Sequence, residues 1–190
     1  MQAQRARLDS ASRALAAAGV TPSVWHLNEG HSALVSFERI RRAMEGDGLP
    51  FDAALAKTAK TSAFTTHTPV PAGNETFELG LVRTYAEAWG GGVRGGTSAF
   101  VDLGRGAPGD EVFNLTVLAM RTSFRTNGVS KLHGQVADGM WKHLFPGEGE
   151  KEHVSAITNG VHTPTWMGPE MGAMLRRRLG NDFGQRLLDP

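Results

Sequence analysis

The stretch VWHLNEGHSAL (Val24–Leu34) contains the change of pattern that decides the fold class. Its beginning, together with Ser23, combines β-branched, aromatic and apolar residues up to Leu27, which predicts a short buried strand. Residues 28–30 predict a turn. A helix then begins at Ser32, because apolar residues recur at helical spacing at Leu34, Phe37, Ile40 and Met44. A buried strand that leads directly into an amphipathic helix is the unit from which α/β sheets are built.

The same alternation continues on both sides of this stretch. An N-terminal helix with Leu8, Leu15 and Ala18 on one face is expected to end at Gly19. Further helices are predicted within residues 52–60, 79–90, 110–124, 127–145 and 168–180, and further strands at 62–67 and within 153–166. The glycine-rich residues 90–109 resemble a flexible insertion. Short apolar strands separated by helices predict an α/β fold with a parallel sheet.

Polar side chains follow three of the predicted strands. His31 comes just after the first, His67 ends the second and Asn159 follows a third. Because ligands bind at the carboxyl ends of the strands in parallel α/β sheets, these residues are candidates for one polar site. The residues alone indicate a site of the size and polarity that suits a sugar, without specifying a reaction.

The composition excludes several classes of function. The chain has 190 residues, 40% of them hydrophobic and 21% charged, with a net charge of +1, so it lacks the basic excess of a nucleic-acid-binding or membrane-surface protein. No apolar run approaches the roughly 20 residues of a membrane span. The absence of cysteine excludes disulfides and thiolate metal sites and is compatible with a reducing compartment, so we expect a cytoplasmic location.

Two motifs have competing interpretations. His26, Glu29 and His31 combine metal-ligand types, but the histidines are five residues apart across a turn, unlike the i, i+4 spacing of a zinc helix. No metal is therefore expected, and from these residues alone a helix entry with Glu29 near its N-terminus is the simpler interpretation. Gly90, Gly92 and Gly95 match G-x-G-x-x-G, but without a strand before and a helix after them they predict only a loop.

Five motifs in order give the chain a resemblance to a known family: HLNEGHSAL, FTTHTPVPAG, FNLTVLAMR, NGVSKLHG and TNGVHTPTW. From about Ser23 to at least Trp166 the chain resembles the α-glucan (glycogen/maltodextrin) phosphorylases of the shorter bacterial and archaeal type. The resemblance implies a GT-B glycosyltransferase fold with a Rossmann-like first domain. It also implies phosphorolysis of α-1,4-glucan by inorganic phosphate, which gives glucose 1-phosphate with retention of configuration, and pyridoxal phosphate as cofactor.

The resemblance also implies roles for single residues. His67 matches the histidine that binds the transferred glucosyl unit, and Asn159 matches the asparagine that hydrogen-bonds the same sugar. Glu29 and His31 match an acidic residue and a histidine on the acceptor side, where family members often carry aspartate in place of Glu29. Two other matched residues, Asn127 and His133, are expected to pack near the cleft.

The chain resembles only part of such an enzyme. The cofactor lysine and the phosphate-binding residues of the family belong to a second domain, so we expect residues 1–160 to be the latter part of the first domain and 161–190 a segment crossing towards the second. On this expectation the chain is a fragment that contains no catalytic residue and is itself inactive. Two alternatives stay open: a nucleotide-sugar glucan synthase of the same architecture, and a carbohydrate-binding remnant without activity.

Overall fold

The computed structural model describes residues 12–90, 96–149 and 151–186. By the density of contacts along the chain, the protein divides into two units, Met1–Thr158 and Asn159–Pro190. The first unit contains the sheets and most of the helices. The second contains short helices only, within its described residues.

The first unit alternates strands with helices and includes a long excursion between two neighbouring strands of its main sheet. Its helices are α1 (residues 12–17), α2 (Val35–Gly46), α3 (Phe51–Lys60), α4 (Leu79–Gly90), α5 (Gly96–Leu103), α6 (Leu115–Arg121) and α7 (Lys131–Trp141). Its strands are β1 (Trp25–Asn28), β2 (Ser62–Thr66), β3 (Thr76–Glu78), β4 (Val112–Asn114), β5 (Arg125–Gly128) and β6 (Val154–Ala156). Single 3₁₀ turns lie at Gly30–Ser32, Pro71–Gly73 and Lys142–Leu144.

The second unit has three helices among its described residues: α8 (Thr163–Trp166), α9 (Pro169–Leu179) and α10 (Phe183–Arg186). Helix α9 starts at a proline and ends at Gly180, whose φ of 92° only glycine adopts easily. The final helix predicted from the sequence is therefore confirmed. The predicted domain boundary at residues 160 and 161 stays a prediction.

The main sheet is parallel, with the strand order β1-β2-β5-β6, and a separate antiparallel ribbon pairs β3 with β4. The register aligns Leu27, Phe64, Thr126 and Val154 across all four strands. Each of these side chains is at most 6% exposed and faces the core. The next row aligns Asn28, Thr65, Asn127 and Ser155 on the opposite face. One face of the sheet is therefore apolar and the other polar.

The strand order explains this difference between the two faces. The strands follow one another in the sheet in the same order as in the chain, so every crossover runs in the same direction. Because such crossovers are right-handed, their helices all lie on one face. The core beneath that face includes Ile40, Leu118 and Ala137 from α2, α6 and α7. On the other face His26, Asn28 and Ser155 are exposed. A polar composition is what an uncovered sheet face requires.

Three expectations about elements are corrected by the structure. Residues 90–109 are not simply a flexible insertion, because α5 occupies part of them and buries Phe100 and Val101. The helix expected over residues 110–124 is shorter, since β4 precedes it and Asn114 caps its start by accepting from the backbone N–H groups of Thr116 and Val117. Residues 127 and 128, the start of the segment 127–145 that was expected to be a turn and then a helix, instead end the central strand β5.

The start of the chain is partly outside the described residues. Leu8 of the predicted N-terminal helix lies there, so its placement is not described. Residues 12–17 are helical, and Gly19 ends the segment with a φ of 70°. No helix that the structure describes has both the length and the apolarity to cross a membrane.

We predict that Gly128→Ala destabilises the fold, whereas Gly139→Ala does not. A Cβ on Gly128 would lie 2.8 Å from His133 Nδ1 and 2.9 Å from the Gly134 backbone nitrogen, so β5 and α7 would have to separate. Overpacking of this kind lowers the free energy of unfolding by about 1–3 kcal/mol. A Cβ on Gly139 meets nothing within 4 Å, and alanine favours a helix over glycine by about 1 kcal/mol. Urea denaturation of both variants measures the difference, and equal stabilities would contradict the packing described.

Candidate sugar-binding site at the carboxyl edge of the sheet

The candidate site lies where neighbouring parallel strands end side by side. Strand β1 ends at Asn28 and is followed by Glu29, and β2 ends at Thr66 and is followed by His67. Because β1 and β2 are parallel neighbours, the two ends lie at the same edge of the sheet. His67 was expected to end the second predicted strand, and it directly follows β2.

The Glu29 carboxylate joins these two ends. Its Oε2 accepts the backbone N–H of His67 at 2.7 Å and the hydroxyl of Thr68 at 3.1 Å. Its Oε1 accepts the backbone N–H of Gly30 at 3.0 Å. The backbone N–H of Glu29 itself donates to the Thr65 carbonyl at 2.8 Å. Glu29 is thus bonded to three residues around the end of β2, Thr65, His67 and Thr68, and to its own turn, where it was expected only to line the site.

The ring of His67 is held by Asn28, a residue whose role the sequence interpretation did not identify. His67 Nε2 lies 2.7 Å from Asn28 Oδ1. The amide oxygen can only accept, so Nε2 carries the proton and donates. In the tautomer with its proton on Nε2, the ring has Nδ1 as its acceptor, and His67 is exposed. The strand-end position of Asn28 was the available clue.

A second polar chain crosses the open face of the sheet one row away. The Thr65 hydroxyl donates to Asn127 Oδ1 at 2.9 Å, and Thr65 Oγ1 lies 2.8 Å from His26 Nε2. Because the single hydroxyl proton goes to Asn127, His26 must donate from Nε2. Asn127 then donates to the Gly128 carbonyl at 3.1 Å. His26, considered above as a metal ligand, is a member of this hydrogen-bonded chain across three strands.

The turn and loop beside Glu29 rest on the start of α6. Gly30 is buried, and a Cβ there would lie 3.2 Å from Thr116 Oγ1, so glycine allows the close approach. Thr116 donates to Asn74 Oδ1 at 2.7 Å. Asn74 in turn donates to the carbonyls of Val70 and Pro71, at 3.1 Å each. The proline-rich loop after His67 is therefore fixed at both ends, by Glu29 and by Asn74.

The other candidate residues are placed as follows. His31 is exposed in the 3₁₀ turn that follows Glu29. Asn159 is exposed at the start of the second unit. His133 is buried, with Nδ1 accepting from the Val129 backbone N–H at 3.1 Å. Within residues 12–90, 96–149 and 151–186, no three histidine or carboxylate side chains are grouped so as to hold a metal ion.

The arrangement suits a neutral ligand with many hydroxyl groups. The exposed polar atoms at this edge are imidazole nitrogens and amide groups, which donate to and accept from hydroxyls. The one carboxylate, Glu29, already accepts three protein donors. The described side chains therefore offer recognition of hydroxyls at fixed positions, which is the chemistry of a sugar site.

Comparisons with known proteins agree with this chemistry. No protein-family model matches the chain. A maltodextrin phosphorylase of Thermococcus litoralis is 44% identical over 169 residues, covering 88% of this chain and 20% of that protein. A glycogen phosphorylase of Mycobacterium tuberculosis is 39% identical over 167 residues, covering 85% of the chain and 19% of the relative. The muscle glycogen phosphorylase of Mus musculus is 25% identical over 177 residues, 83% of the chain and 21% of the relative.

We predict opposite effects of the same substitution at two adjacent residues. Thr65→Val removes the hydroxyl between His26 and Asn127 and should lower the free energy of unfolding by about 0.5–1.5 kcal/mol, the net contribution of a typical hydrogen bond, because water can reach the exposed His26. The Thr66 hydroxyl is buried and has no hydrogen-bond partner among the described residues, so Thr66→Val should be neutral or stabilising. Urea denaturation measures both. If the two substitutions lowered the free energy of unfolding equally, the hydrogen bonds from Thr65 to His26 and Asn127 would contribute nothing to stability.

Proposed function

Since this chain is homologous to one segment of the α-glucan phosphorylases, we propose that it supplies a wall of the sugar site in an enzyme of that activity. The chain spans about a fifth of the length of the curated relatives it matches, at 20% and 19% of the first two. The proposed reaction of the whole protein is phosphorolysis of α-1,4-glucan: inorganic phosphate takes the terminal glucosyl unit and glucose 1-phosphate leaves, with retention of configuration.

The predicted family and fold class are confirmed. The unit is mixed α/β with a parallel sheet, and the relatives are glycogen and maltodextrin phosphorylases, which have the GT-B fold. The archaeal and mycobacterial phosphorylases have higher sequence identities to this chain than the mouse muscle enzyme has. This agrees with the resemblance to phosphorylases of the bacterial and archaeal type.

The geometry of His67 is the observation that carries the proposal. Its backbone is bonded to Glu29 and its ring to Asn28, which leaves Nδ1 exposed at the carboxyl edge of the sheet. A hydroxyl of the transferred glucosyl unit would donate to Nδ1 there. Asn159 would hydrogen-bond the same sugar. His31 would contact the neighbouring sugar unit on the acceptor side, and Glu29 lies at the same edge as His67. No nucleic acid or membrane partner enters the proposal, and we place the parent enzyme in the cytoplasm.

The lysines of this chain do not fit pyridoxal phosphate. A lysine that holds this cofactor as a Schiff base must lie in a pocket that encloses the ring. All five lysines of the chain are exposed, and two are paired with carboxylates of the same surface: Lys57 with Asp47 and Lys151 with Glu148. We propose that the cofactor of the whole enzyme is held elsewhere in the protein. No residue of this chain acts on the cofactor in the proposed reaction.

The two alternatives predict different ligands. A nucleotide-sugar glucan synthase of the same architecture would take ADP-glucose or UDP-glucose and would not respond to phosphate. A carbohydrate-binding remnant would bind glucan without any turnover. The matched relatives named above are all phosphorylases, which favours phosphorolysis over both.

A segment exchange tests the proposed function. This chain replaces the homologous 169-residue segment of the Thermococcus litoralis maltodextrin phosphorylase, and the chimera is incubated with maltoheptaose and phosphate. We expect formation of glucose 1-phosphate. A folded chimera without phosphorolysis would contradict the proposal, and turnover of ADP-glucose or UDP-glucose instead would favour the synthase.

His67→Ala in the same chimera should lower the rate of phosphorolysis on glucans of every length. Loss of one hydrogen bond to a sugar hydroxyl costs about 1–3 kcal/mol, or roughly 5–150-fold. Glu78→Gln, an exposed position on β3, is the matched surface control and should leave the rate unchanged. Unchanged kinetics in the His67 variant would remove this residue from the site.

The isolated chain should not catalyse the reaction. All five of its lysines are exposed, so none lies in a pocket that would enclose the cofactor. The measurement is glucose 1-phosphate formation from maltoheptaose, phosphate and pyridoxal phosphate, compared with heat-denatured chain. Formation above that background would show that the chain is active by itself.

A further inference from the structure

Glu29 has an unusual backbone for a residue with a side chain. Its φ is 68° and its ψ is 164°, a region that is essentially restricted to glycine. It is the single non-glycine residue with positive φ in the part of the chain that the structure describes. A turn that needed only this backbone shape would be better served by glycine. The carboxylate must therefore provide something that offsets the strain.

The surroundings of the carboxylate show what it provides. Three protein donors surround it: the backbone N–H groups of Gly30 and His67 and the hydroxyl of Thr68. The bond to His67, at 2.7 Å, is the shortest of the three and is charge-assisted. Little accepting capacity remains for a ligand, because a carboxylate accepts about four hydrogen bonds.

We infer that Glu29 is a positioning residue, which acts on the sugar through His67 rather than by direct contact. The carboxylate fixes the His67 backbone, and Asn28 then fixes the ring with Nδ1 outward. The strained backbone of Glu29 aims the carboxylate at the end of the neighbouring strand. The inference rests on the proposed role of His67 as a sugar ligand, and it refines the role of Glu29 from a sugar contact to a support.

Two variants separate this role from a purely structural one. Glu29→Gln keeps the shape but replaces one oxygen by an amide that donates, so it cannot accept from both Gly30 and His67. Glu29→Gly removes the carboxylate and relieves the backbone strain, so the turn and the fold are retained. The matched control is Glu78→Gln, which changes an exposed carboxylate on the separate β3–β4 ribbon.

The readout is nuclear magnetic resonance of the 190-residue chain, labelled with ¹⁵N. In Glu29→Gly the His67 amide should exchange with solvent roughly tenfold faster or more, as expected for the loss of a hydrogen bond to a charged acceptor. In Glu29→Gln, which keeps one neutral oxygen, the exchange should be faster by a smaller factor. The ring nitrogens of His67 should shift from a single tautomer, with the proton on Nε2, to a mixture. Amides of β5 and the control variant should be unchanged.

Titration with maltoheptaose separates this inference from the proposed function. Loss of glucan binding in both Glu29 variants together with faster His67 exchange supports the positioning role. If the wild-type chain binds no maltoheptaose but the exchange result holds, the positioning role stands and the proposed function fails. If binding is lost while the exchange and ring signals of His67 do not change, Glu29 is itself a ligand and the inference is overturned. Unchanged exchange in Glu29→Gly overturns it as well.

Discussion

The hydrogen bond between the His67 backbone and the Glu29 carboxylate solves a problem that parallel strands share. Two parallel neighbours cannot be joined by a short turn, so beyond the last backbone bond of the ladder, from Glu29 to Thr65, no connecting turn holds their ends together. Here a charged acceptor on one strand end takes the free N–H of the next. The orientation of the His67 ring and the course of the proline-rich loop both follow from this bond, because Thr68 is tied to the same oxygen. The polar edge keeps its shape through this contact between strands.

The general architecture could be predicted from the sequence, and the reason lies in its hydrophobic pattern. Strands β1 and β2 and helices α2, α3 and α9 carry the expected periodicities, so they were found. Strand β5 was missed because its sequence, RTNG, contains no apolar residue. It is central in the sheet, and its polar side chain Asn127 is satisfied by Thr65 on the open face. Helix α5 was not predicted because the glycines around it are typical of a loop, although the helix contains apolar residues that it buries.

The sequence proposed candidate site residues but not the connections between them. Strand-end logic proposed His31, His67 and Asn159, since it depends only on where strands stop. It could not reveal that Asn28 holds the His67 ring or that Glu29 is occupied by protein donors, because those contacts join residues 39 and 38 positions apart. The positive φ of Glu29 was also hidden, since glutamate ordinarily avoids that region. Hydrogen bonds between side chains that are distant in the sequence form only once the sheet has assembled.

The strand order has a consequence for the order of events during synthesis. Strand β2 leaves the ribosome next to β1, but its other neighbour, β5, follows only after the β3–α6 excursion. At roughly 5–20 residues per second, the nascent chain waits several seconds with one edge of β2 unpaired. The bond from Thr65 to Asn127 spans 62 residues and closes at the end of that interval. The hydrogen-bonded chain across the open face is therefore completed late, because it needs Asn127 of β5 as a partner for Thr65.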